Sequence, residues 1–406
     1  MPQWAWSVPA RAGARSFPAA ACTYEGGSAL SKSRSKKKYR AGVIGCGSTS
    51  GHFFTGWAPW LDEVEVAAIC DVAPTQMQRQ QQAFPDVCGQ AATYTDYRKM
   101  LAEAGLDIVG VCSFSDRHME HTEACLEAGK HVFVEKPIGY NLEEARRFKH
   151  LAAKYPDLKG GVAYSLRYYK AFMDLKALIA SGVLGEITSC EISYSHGRHG
   201  RGREVGTDES GAGSADASAP RRAARRPRRR PYEDGGGNYI ASSELTHATH
   251  PWDMARYLLG EVREVFCARA HGATMGILWM ESGAMCHVMS GSVRRAKVGH
   301  MQQQIVQAHG REGSAWLTRE KDEPYRWRAH YKTDGDIQEA PAVSDVPESS
   351  HGAVLRSRNL LDAIEGKAEL ICSLVDGATT TELLHALWLS ERMQVRVPVF
   401  PANHTG

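Results

Sequence analysis

Two glycines and one aspartate are spaced as a dinucleotide-binding turn requires. Gly45 and Gly47 directly follow the apolar run 40–44, and Asp71 ends a second apolar run, 24 residues after Gly47. Glycine allows a tight turn and a close approach of the backbone to a pyrophosphate, and a carboxylate after the second strand can accept ribose hydroxyls. That carboxylate also repels a 2′-phosphate, and no Arg or Lys lies within 72–78. The pattern therefore favours NAD as the cofactor, with NADP less favoured.

The glycine pattern is incomplete at its third position. Ser50 stands where the strict G-x-G-x-x-G pattern has glycine, and Gly51 follows one place later. An ordinary α/β turn with an exposed aspartate is the alternative interpretation. The dinucleotide interpretation rests on context, because the turn separates a strand-like run from a helix-compatible stretch, and the first N–H groups of a helix can bind phosphate.

A lysine is the second candidate for chemistry. Residues 129–137 read GKHVFVEKP and place Lys136 at the carboxyl end of a predicted buried strand, where open α/β sheets bind ligands. Pro137 restricts the backbone of Lys136 to extended geometry and stiffens the turn. A lone lysine in such a position is usually a solvated surface charge, so its role depends on the residues around it.

A parallel sheet is needed to position these residues, and the first half of the chain predicts one. Strand-like apolar runs alternate with helix-compatible stretches about every 25 residues, which is typical of crossover connections in a sheet covered on both faces. The predicted strands are 40–45, 64–70, 107–112 and 131–134, and the predicted helices are 74–83, 96–104, 117–128 and 141–154.

The second half of the sequence has a different hydropathy pattern. Residues 185–194 alternate in polarity, and 262–318 read as several strands separated by glycine turns, which predicts an antiparallel sheet. Helix-like stretches at 353–365 and 377–393 close the chain. We therefore expect an α/β Rossmann domain with a parallel sheet over 38–160, and an α+β domain with a mostly antiparallel open sheet over 161–400.

Two low-complexity segments carry the basic charge of the chain. Residues 1–40 hold eight Lys or Arg and one acid, and residues 221–230 hold seven Arg and no acid, although the net charge of all 406 residues is only +3. The remainder is therefore acidic, and the sequence does not favour nucleic-acid binding. We interpret 1–37 as a disordered leader, with a targeting segment as the alternative, and 200–237 as an insertion that cannot form a core. The Arg run could bind polyanions, but such runs are more often solvated.

Cysteine usage and hydropathy indicate the compartment. The ten cysteines include no C-x-x-C pair, and several lie in apolar runs, where a reduced cysteine behaves as a small hydrophobic residue. No apolar run approaches the roughly 18 residues that span a bilayer. We expect a cytoplasmic protein that has no membrane partner.

The combined motifs resemble the Gfo/Idh/MocA family, the glucose-fructose oxidoreductase and inositol dehydrogenase group, over about 39–400. The run 128–137, which contains Glu135-Lys136-Pro137 in its strand context, is the most specific match. The others are individually weak: Gly45-Cys46-Gly47, Asp71, 113–118 (SFSDRH), 166–168 (LRY), 182–187 (GVLGEI), 235–237 (GGG), 250–253 (HPWD), 360–364 (LLDAI) and 372–377 (CSLVDG).

The resemblance implies hydride exchange between a nicotinamide cofactor and a hydroxyl carbon of a sugar, inositol or related polyol, in a homodimer or homotetramer. It places Lys136 near the nicotinamide and the reacting hydroxyl, with His250 as the acid/base partner. It assigns cofactor binding to Gly45, Gly47, Ser48, Thr49, Asp71, Ser113, Phe114, His118, Glu135, Lys136 and Arg167, and substrate binding to Lys136, Tyr164, Thr246, His247 and His250. We interpret His121 as structural.

One departure from the family concerns the partner of His250. The family commonly has an aspartate four residues before the histidine, where this chain has Thr246, so the acidic partner could be Glu244 or Asp253. His247, His250 and Asp253 also permit a metal-site interpretation, but no H-E-x-x-H pattern or cysteine pair supports it, and we predict no metal. Two functional alternatives remain open: a glycosidase that uses transient oxidation by NAD, and a cofactor-binding regulator without catalysis.

Overall fold

The computed structural model describes residues 38–197, 249–270, 273–293, 304–319, 327–344 and 352–399. Leader 1–37 and the predicted insertion 200–237 lie outside these ranges. Within them the chain forms two sheets, each with its own apolar core.

The first sheet has six parallel strands, because its apolar runs are buried on both faces. The strand order is β3, β2, β1, β4, β5, β6, which is the order of a dinucleotide-binding fold. The strands are β1 (Tyr39–Ile44), β2 (Val64–Cys70), β3 (Ala92–Tyr94), β4 (Ile108–Val111), β5 (His131–Val134) and β6 (Gly160–Val162). The chain reverses direction across the sheet between β1 and β4, where such folds bind their ligand.

Helices cover this sheet, and side chains cap two of them. Asp96 accepts a hydrogen bond from the Arg98 N–H at the start of one, and Asn141 accepts one from Glu144 N–H at the start of another. The helices are α1 (Gly51–Trp57), α2 (Pro74–Ala83), α3 (Pro85–Cys88), α4 (Tyr97–Glu103), α5 (His118–Glu127) and α6 (Leu142–Lys154).

The second sheet has nine strands and is antiparallel except where β7 pairs with β10. Its order is β14, β13, β12, β11, β7, β10, β9, β8, β15. The strands are β7 (Ile187–Gly197), β8 (Val262–Ala270), β9 (Ala273–Met280), β10 (Met285–Val293), β11 (Gln304–Gly310), β12 (Ser314–Arg319), β13 (Trp327–Lys332), β14 (Gln338–Glu339) and β15 (Val397–Pro398). In β9, buried side chains alternate with more exposed ones, as expected of a sheet with one covered face.

After the first sheet, the described residues form four more helices: α7 (Lys170–Ala180), α8 (His250–Leu259), α9 (Ala353–Ile364) and α10 (Leu374–Met393). The last begins with a capping box between Ser373 and Asp376. It packs against β6 at Gly377, where a Cβ would lie 2.8 Å from Val162. Helix α9 packs on α1 at Gly56, where a Cβ would lie 2.7 Å from the Ala353 carbonyl oxygen. The end of the chain therefore completes the core of the first sheet.

The predicted fold class is confirmed: a parallel Rossmann sheet is followed by a mostly antiparallel open sheet. The predicted division at 160 stays a prediction, although β6 extends the first sheet to Val162. Among the described helices, none is long and apolar enough to cross a membrane.

Candidate active site

The glycine turn lies at the reversal point between β1 and β4. Gly45 has a φ of 91°, a value that side chains strongly disfavour, and a Cβ there would lie 2.6 Å from the Ser113 nitrogen. At Gly47 a Cβ would meet nothing within 4 Å. The first glycine is therefore required by packing inside the protein, whereas the second leaves open space beside the turn.

The structure explains why serine is tolerated at the third glycine position. Ser50 is buried, and its hydroxyl donates to the Gly47 carbonyl at 2.7 Å. The Gln80 amide donates to the same carbonyl at 2.9 Å. Ser48 and Thr49, predicted to bind cofactor, remain exposed in the 3-10 turn that leads into α1. Hydrogen bonds to the Gly47 carbonyl therefore fix the turn on its protein side, whereas Ser48 and Thr49 are exposed on its solvent side.

Asp71 is held at the end of β2 by two backbone donors. Its Oδ2 accepts from the Cys46 N–H at 2.8 Å, and its Oδ1 accepts from the Ala73 N–H at 2.9 Å. Each carboxylate oxygen has a second lone pair available for a ribose hydroxyl. Asp71 therefore joins the glycine turn to the end of the second strand and stays half-exposed.

Two exposed apolar side chains flank this turn. Val72, after β2, is 85% exposed and Phe114, after β4, is 81% exposed, the highest values among the large hydrophobic residues of the described chain. The strands that carry them lie on either side of β1. Apolar surfaces around a cleft with a few polar groups are typical of a cofactor site, and the predicted cofactor residue Phe114 lies there.

Ser113 is held by two histidines of α5. The His118 ring lies 3.0 Å from the Ser113 carbonyl and 2.8 Å from the Pro137 carbonyl, so it links the ends of β4 and β5. His121 Nδ1 lies 2.8 Å from the Ser113 hydroxyl. Burial lowers the pKa of both imidazoles, that of His121 to about 4. The predicted cofactor residues Ser113 and His118 are thus brought together, and His121 supports them.

Lys136 follows β5 and is joined to Pro137 by a cis peptide bond. Burial lowers the pKa of its ammonium, and the Glu135 carboxylate opposes this effect. Glu135 is itself buried, at 7% exposure, and burial raises its pKa. Its ion-pair partner is Arg356, whose Nη1 lies 3.5 Å from Oε1. A buried ion pair of Glu135 and Arg356 therefore lies directly beside Lys136 in the chain, and the sequence does not reveal Arg356 as the partner.

His250 begins α8 and reaches the first sheet through Tyr164. The Tyr164 and His250 ring centroids are 6.1 Å apart in an edge contact, and the ring centroid of Tyr194 of β7 lies 6.0 Å from that of His250. In the paired strands β5 and β6, Val134 lies opposite Val162. Lys136 and Tyr164 each come two residues after those positions, so they emerge at the same edge of the sheet. The topology thus brings together the predicted residues Lys136, Tyr164 and His250.

Arg167, predicted to bind cofactor, has protein partners instead. Its Nε and Nη2 donate to the Asp253 carboxylate at 2.9 and 2.8 Å, and its Nη1 donates to the Ile371 carbonyl at 3.0 Å. Both side chains of the pair are nearly inaccessible. A guanidinium so engaged anchors α8 to the turn after β6. Both carboxylate oxygens of Asp253 therefore accept hydrogen bonds from Arg167.

The remaining predicted residues Thr246 and His247, and the possible acidic partner Glu244, lie outside the described residues. No group of His, Cys, Asp or Glu side chains in the described ranges could hold a metal ion. The residues that are described fit a dinucleotide: an open glycine turn at the sheet reversal, a carboxylate after β2 and exposed apolar side chains on both sides. Sequence reasoning missed Tyr194, whose signal was only strand alternation.

Comparison with known proteins agrees with this geometry. Residues 39–159 match the family described as "Oxidoreductase family, NAD-binding Rossmann fold", and residues 172–316 match the "GFO/IDH/MocA C-terminal domain". Among solved structures, levoglucosan dehydrogenase in complex with NADH and levoglucosan is similar, with a TM-score of 0.71, 20% identity, and coverage of 90% of this chain and 100% of that one. At this identity the likeness concerns the fold alone.

Curated relatives match over part of their length. The scyllo-inositol 2-dehydrogenase (NADP(+)) of Bacillus subtilis is 32% identical over 162 residues, which are 39% of this chain and 42% of that protein. The myo-inositol 2-dehydrogenase of Thermotoga maritima is 28% identical over 231 residues, 56% of this chain and 57% of that protein. These matches span about half the length of the relatives. The two matched domains, together with the observed sheets and turn, show that the chain belongs to the Gfo/Idh/MocA family of oxidoreductases, with an NAD-binding Rossmann fold in its first half.

Proposed function

We propose that this protein is an NAD-dependent dehydrogenase that transfers hydride between nicotinamide and a hydroxyl carbon of a sugar, inositol or related polyol. The observation that carries the proposal is the shared sheet edge at which Lys136 and Tyr164 emerge, with His250 against the Tyr164 ring. A site with a cation and an imidazole beside a dinucleotide-binding turn suits oxidation of an alcohol, and the named relatives include inositol and D-glucoside dehydrogenases.

The bound dinucleotide would be held by the glycine turn, Asp71 and Phe114, and would supply the hydride acceptor or donor. Oxidation of an alcohol also requires removal of the hydroxyl proton. A positioned imidazole can accept it, and because His250 Nδ1 is buried, we assign this task to Nε2. The Lys136 ammonium stabilises the negative charge that develops on the substrate oxygen. In the reverse direction His250 returns the proton.

The preference for NAD over NADP rests on charge at the end of β2. Asp71 and Asp96 both act on the buried Cys70 thiol and, after burial itself, raise its pKa, to about 12. The Asp71 carboxylate, at the proposed position of the adenosine ribose, would repel a 2′-phosphate. Because the B. subtilis relative is named for NADP(+), we expect the cofactor preference to vary between relatives.

Asp71→Ser tests this preference. Replacing the carboxylate by a hydroxyl removes one negative charge, so the ratio of the NADP to the NAD dissociation constant should fall by roughly tenfold, on the scale of one removed charge repulsion. Titration of the purified protein with each cofactor measures it. A wild-type protein that binds NADP as tightly as NAD would contradict the assignment.

The activity itself is tested by screening the full chain with NAD against sugars, inositols and sugar acids while NADH absorbance is followed. Growth of NADH with one substrate class is the expected result. Release of a sugar substituent without net NADH would indicate the glycosidase alternative, and cofactor binding without any turnover would indicate a regulator.

We further propose that the chain forms a homodimer or homotetramer in the cytoplasm. The outer face of the second sheet supports the oligomer, because Met275 of β9, Met285 of β10 and Ile305 of β11 are 46%, 47% and 40% exposed. These exposed apolar side chains share the face with polar ones such as Glu191 and His287, a mixture that is typical of protein interfaces. The nine cysteines of the described chain are all free and buried, which fits a reducing compartment.

A further inference from the structure

The imidazole of His250 contacts two tyrosine rings that different elements of the fold supply. The Tyr164 ring meets it edge-on, at an interplanar angle of 88° and a centroid distance of 6.1 Å, and the Tyr194 ring meets it at 41° and 6.0 Å. Tyr164 follows β6 of the first sheet, whereas Tyr194 lies on β7 of the second. Because the two rings meet the imidazole at different angles, a rotation of the imidazole that keeps one contact changes the other.

Packing fixes the Tyr164 ring. Its side chain is 0% exposed and is among the largest fully buried side chains of the described residues. Its backbone N–H donates to the Val162 carbonyl at 2.9 Å, and its carbonyl accepts from the Arg167 N–H at 3.1 Å. A ring enclosed in this way cannot change its rotamer without displacing its neighbours. The edge contact with His250 is therefore a fixed feature of the fold.

Strand pairing fixes Tyr194. It lies on β7, the middle strand of the second sheet, where its backbone is opposite Ser290 of β10 and Gln304 of β11. Ile192 and Cys190, two and four residues earlier, are buried, so Tyr194 lies on the covered face of the sheet. Tyr194 is itself partly buried against the core of this sheet. A central strand, and not a loop, therefore presents its ring to α8.

The helix that carries His250 is anchored directly after that residue. The indole of Trp252 packs on Gly276 of β9, where a Cβ would lie 2.8 Å from the indole ring. Asp253 forms the buried ion pair with Arg167. These two contacts fix the backbone at the start of α8, so the orientation of the His250 imidazole is the freedom that the tyrosine rings restrict.

A carboxylate is the usual means of orienting a histidine base. The family commonly has an aspartate four residues before the histidine, and this chain has Thr246 there. The described candidate Asp253 accepts from Arg167 at 2.9 and 2.8 Å and from the Thr380 hydroxyl at 2.8 Å. Its carboxylate is therefore engaged by other residues. Contacts with two tyrosine rings offer a means of orientation that needs no charge.

We propose that Tyr194 is a positioning residue for His250: together with the edge contact of Tyr164, its ring holds the imidazole with Nδ1 buried and Nε2 directed to the substrate hydroxyl. Aromatic pairs in edge and tilted geometries contribute more than the area that they bury, enough to favour one orientation by roughly two- to tenfold. This proposal rests on the proposed function for the role of His250 as the base. The orientation of the ring can be measured without turnover.

The orientation is tested with diethyl pyrocarbonate, which modifies accessible, unprotonated imidazole nitrogens. The full chain is modified at neutral pH without NAD or substrate, and tandem mass spectrometry gives the rate at His250. Tyr194→Leu should raise this rate roughly two- to tenfold, because the imidazole turns toward solvent more often. Tyr194→Phe keeps the ring and should retain the wild-type rate. His330, which packs on Trp316 at 6.3 Å, is the internal reference and should react equally in all three proteins.

Kinetics test the consequence for proton transfer. The variants are assayed with NAD and with myo-inositol, scyllo-inositol and D-glucose as probes. A less ordered imidazole meets the hydroxyl in fewer bound complexes, so Tyr194→Leu should lower kcat by roughly two- to tenfold, with little change in KM for NAD or for the polyol. Tyr194→Phe should restore kcat. A raised KM for the polyol with an unchanged kcat would show that Tyr194 binds substrate and does not position His250.

Tyr331 provides a matched control on the same sheet. It lies on β13, is partly buried against the same core, and its hydroxyl donates to Gln338. Tyr331→Leu makes the same change of side chain and should leave both kcat and the His250 modification rate unchanged.

An unchanged His250 rate in Tyr194→Leu, or an equal rise in Tyr331→Leu or Tyr194→Phe, would overturn the proposal. If the His250 rate rises only in Tyr194→Leu but His250→Ala retains full activity, the ring contact stands and the role of His250 in the proposed function fails.

Discussion

At the scale of single residues, the proposed site combines a lysine and a histidine that separate elements of the fold supply. Lys136 follows β5, and His250, the first residue of α8, contacts the ring of Tyr164, which follows the neighbouring strand β6. Lys136→Ala and His250→Ala should each lower kcat by roughly 100-fold or more, the usual scale for loss of a positioned acid or base. Stopped assays of NADH formation under saturating substrate measure this.

The two variants should differ in their effect on cofactor binding. His250→Ala should leave NAD affinity nearly unchanged, because its described ring contacts are to Tyr164 and Tyr194. A retained wild-type kcat in His250→Ala would show that another residue moves the proton. Thr246→Asp would add the carboxylate common in the family and, if the family geometry holds, should move the pH-rate profile of the active enzyme to higher pH.

His121 should make stability depend on pH. Burial lowers its pKa to about 4, below the ordinary 6.5, so the unfolded chain binds the proton more readily than the folded one. The contribution of the neutral imidazole is therefore complete above about pH 6.5 and is lost as the pH falls toward 4. Between pH 7 and pH 5 the wild type should lose on the order of 1 kcal/mol more free energy of unfolding than His121→Gln.

His309 is the control for this measurement. Its Nδ1 also lies 2.8 Å from a serine hydroxyl, that of Ser314, but the pair is exposed. His309→Gln should retain the wild-type difference between urea unfolding at pH 7 and at pH 5. The same difference in all three proteins would refute the role assigned to His121.

At the scale of elements, the helix that begins with His250 is fixed by the buried ion pair of Arg167 and Asp253. Thr380 of α10 donates to the Asp253 carboxylate at 2.8 Å, and Arg256 donates to the Thr380 hydroxyl at the same distance. Burial would lower the pKa of the Arg167 guanidinium, but Asp253 outweighs it and the pKa is raised. Helices α8 and α10 are thereby locked to the turn after β6.

Breaking this pair should be costly. Asp253→Asn removes the nearer of the two carboxylates that pair with the buried Arg167 and leaves Asp376 at 3.3 Å, so the loss of stability should be about 3 kcal/mol, measured by urea unfolding. Arg311→Met, which removes an exposed pair with Glu186, should cost less than about 1 kcal/mol. Similar losses from both variants would contradict the structural role of Arg167 and Asp253.

At the scale of the whole molecule, the exposed face of the second sheet should determine assembly. Met275→Glu and Ile305→Lys place charges on strands separated by β10 and β7 on that sheet. Each should shift an oligomer toward smaller species in light scattering coupled to size-exclusion chromatography, because a buried unpaired charge opposes association.

Met393 is 61% exposed near the end of α10 and lies outside the sheet face. Met393→Glu should therefore leave the molar mass unchanged. A wild-type protein that is monomeric at all concentrations tested would exclude the homo-oligomer.

The sequence alone predicted those features that depend on local patterns. The bounds of β2 and β5 agree with the predicted runs, because burial on both faces of a strand requires a continuous apolar stretch, and the bounds of α2 agree with the predicted helix. The glycine turn, Asp71 and Lys136 were found for a similar reason, since each lies at a strand end that the pattern marks. Identification of His250 depended on the resemblance to a family.

Tertiary structure decided the features that depend on distant neighbours. Strand β6 was missed because Gly160 and Gly161 have low strand propensity; they fit there because Leu374 and Phe133 lie where their Cβ atoms would be. Arg167 carries no local sign that its partner is Asp253, and Arg356 none that it reaches Glu135. Charge pairs are set by which helices pack against the sheet, and the spacing of residues along the chain does not specify that packing.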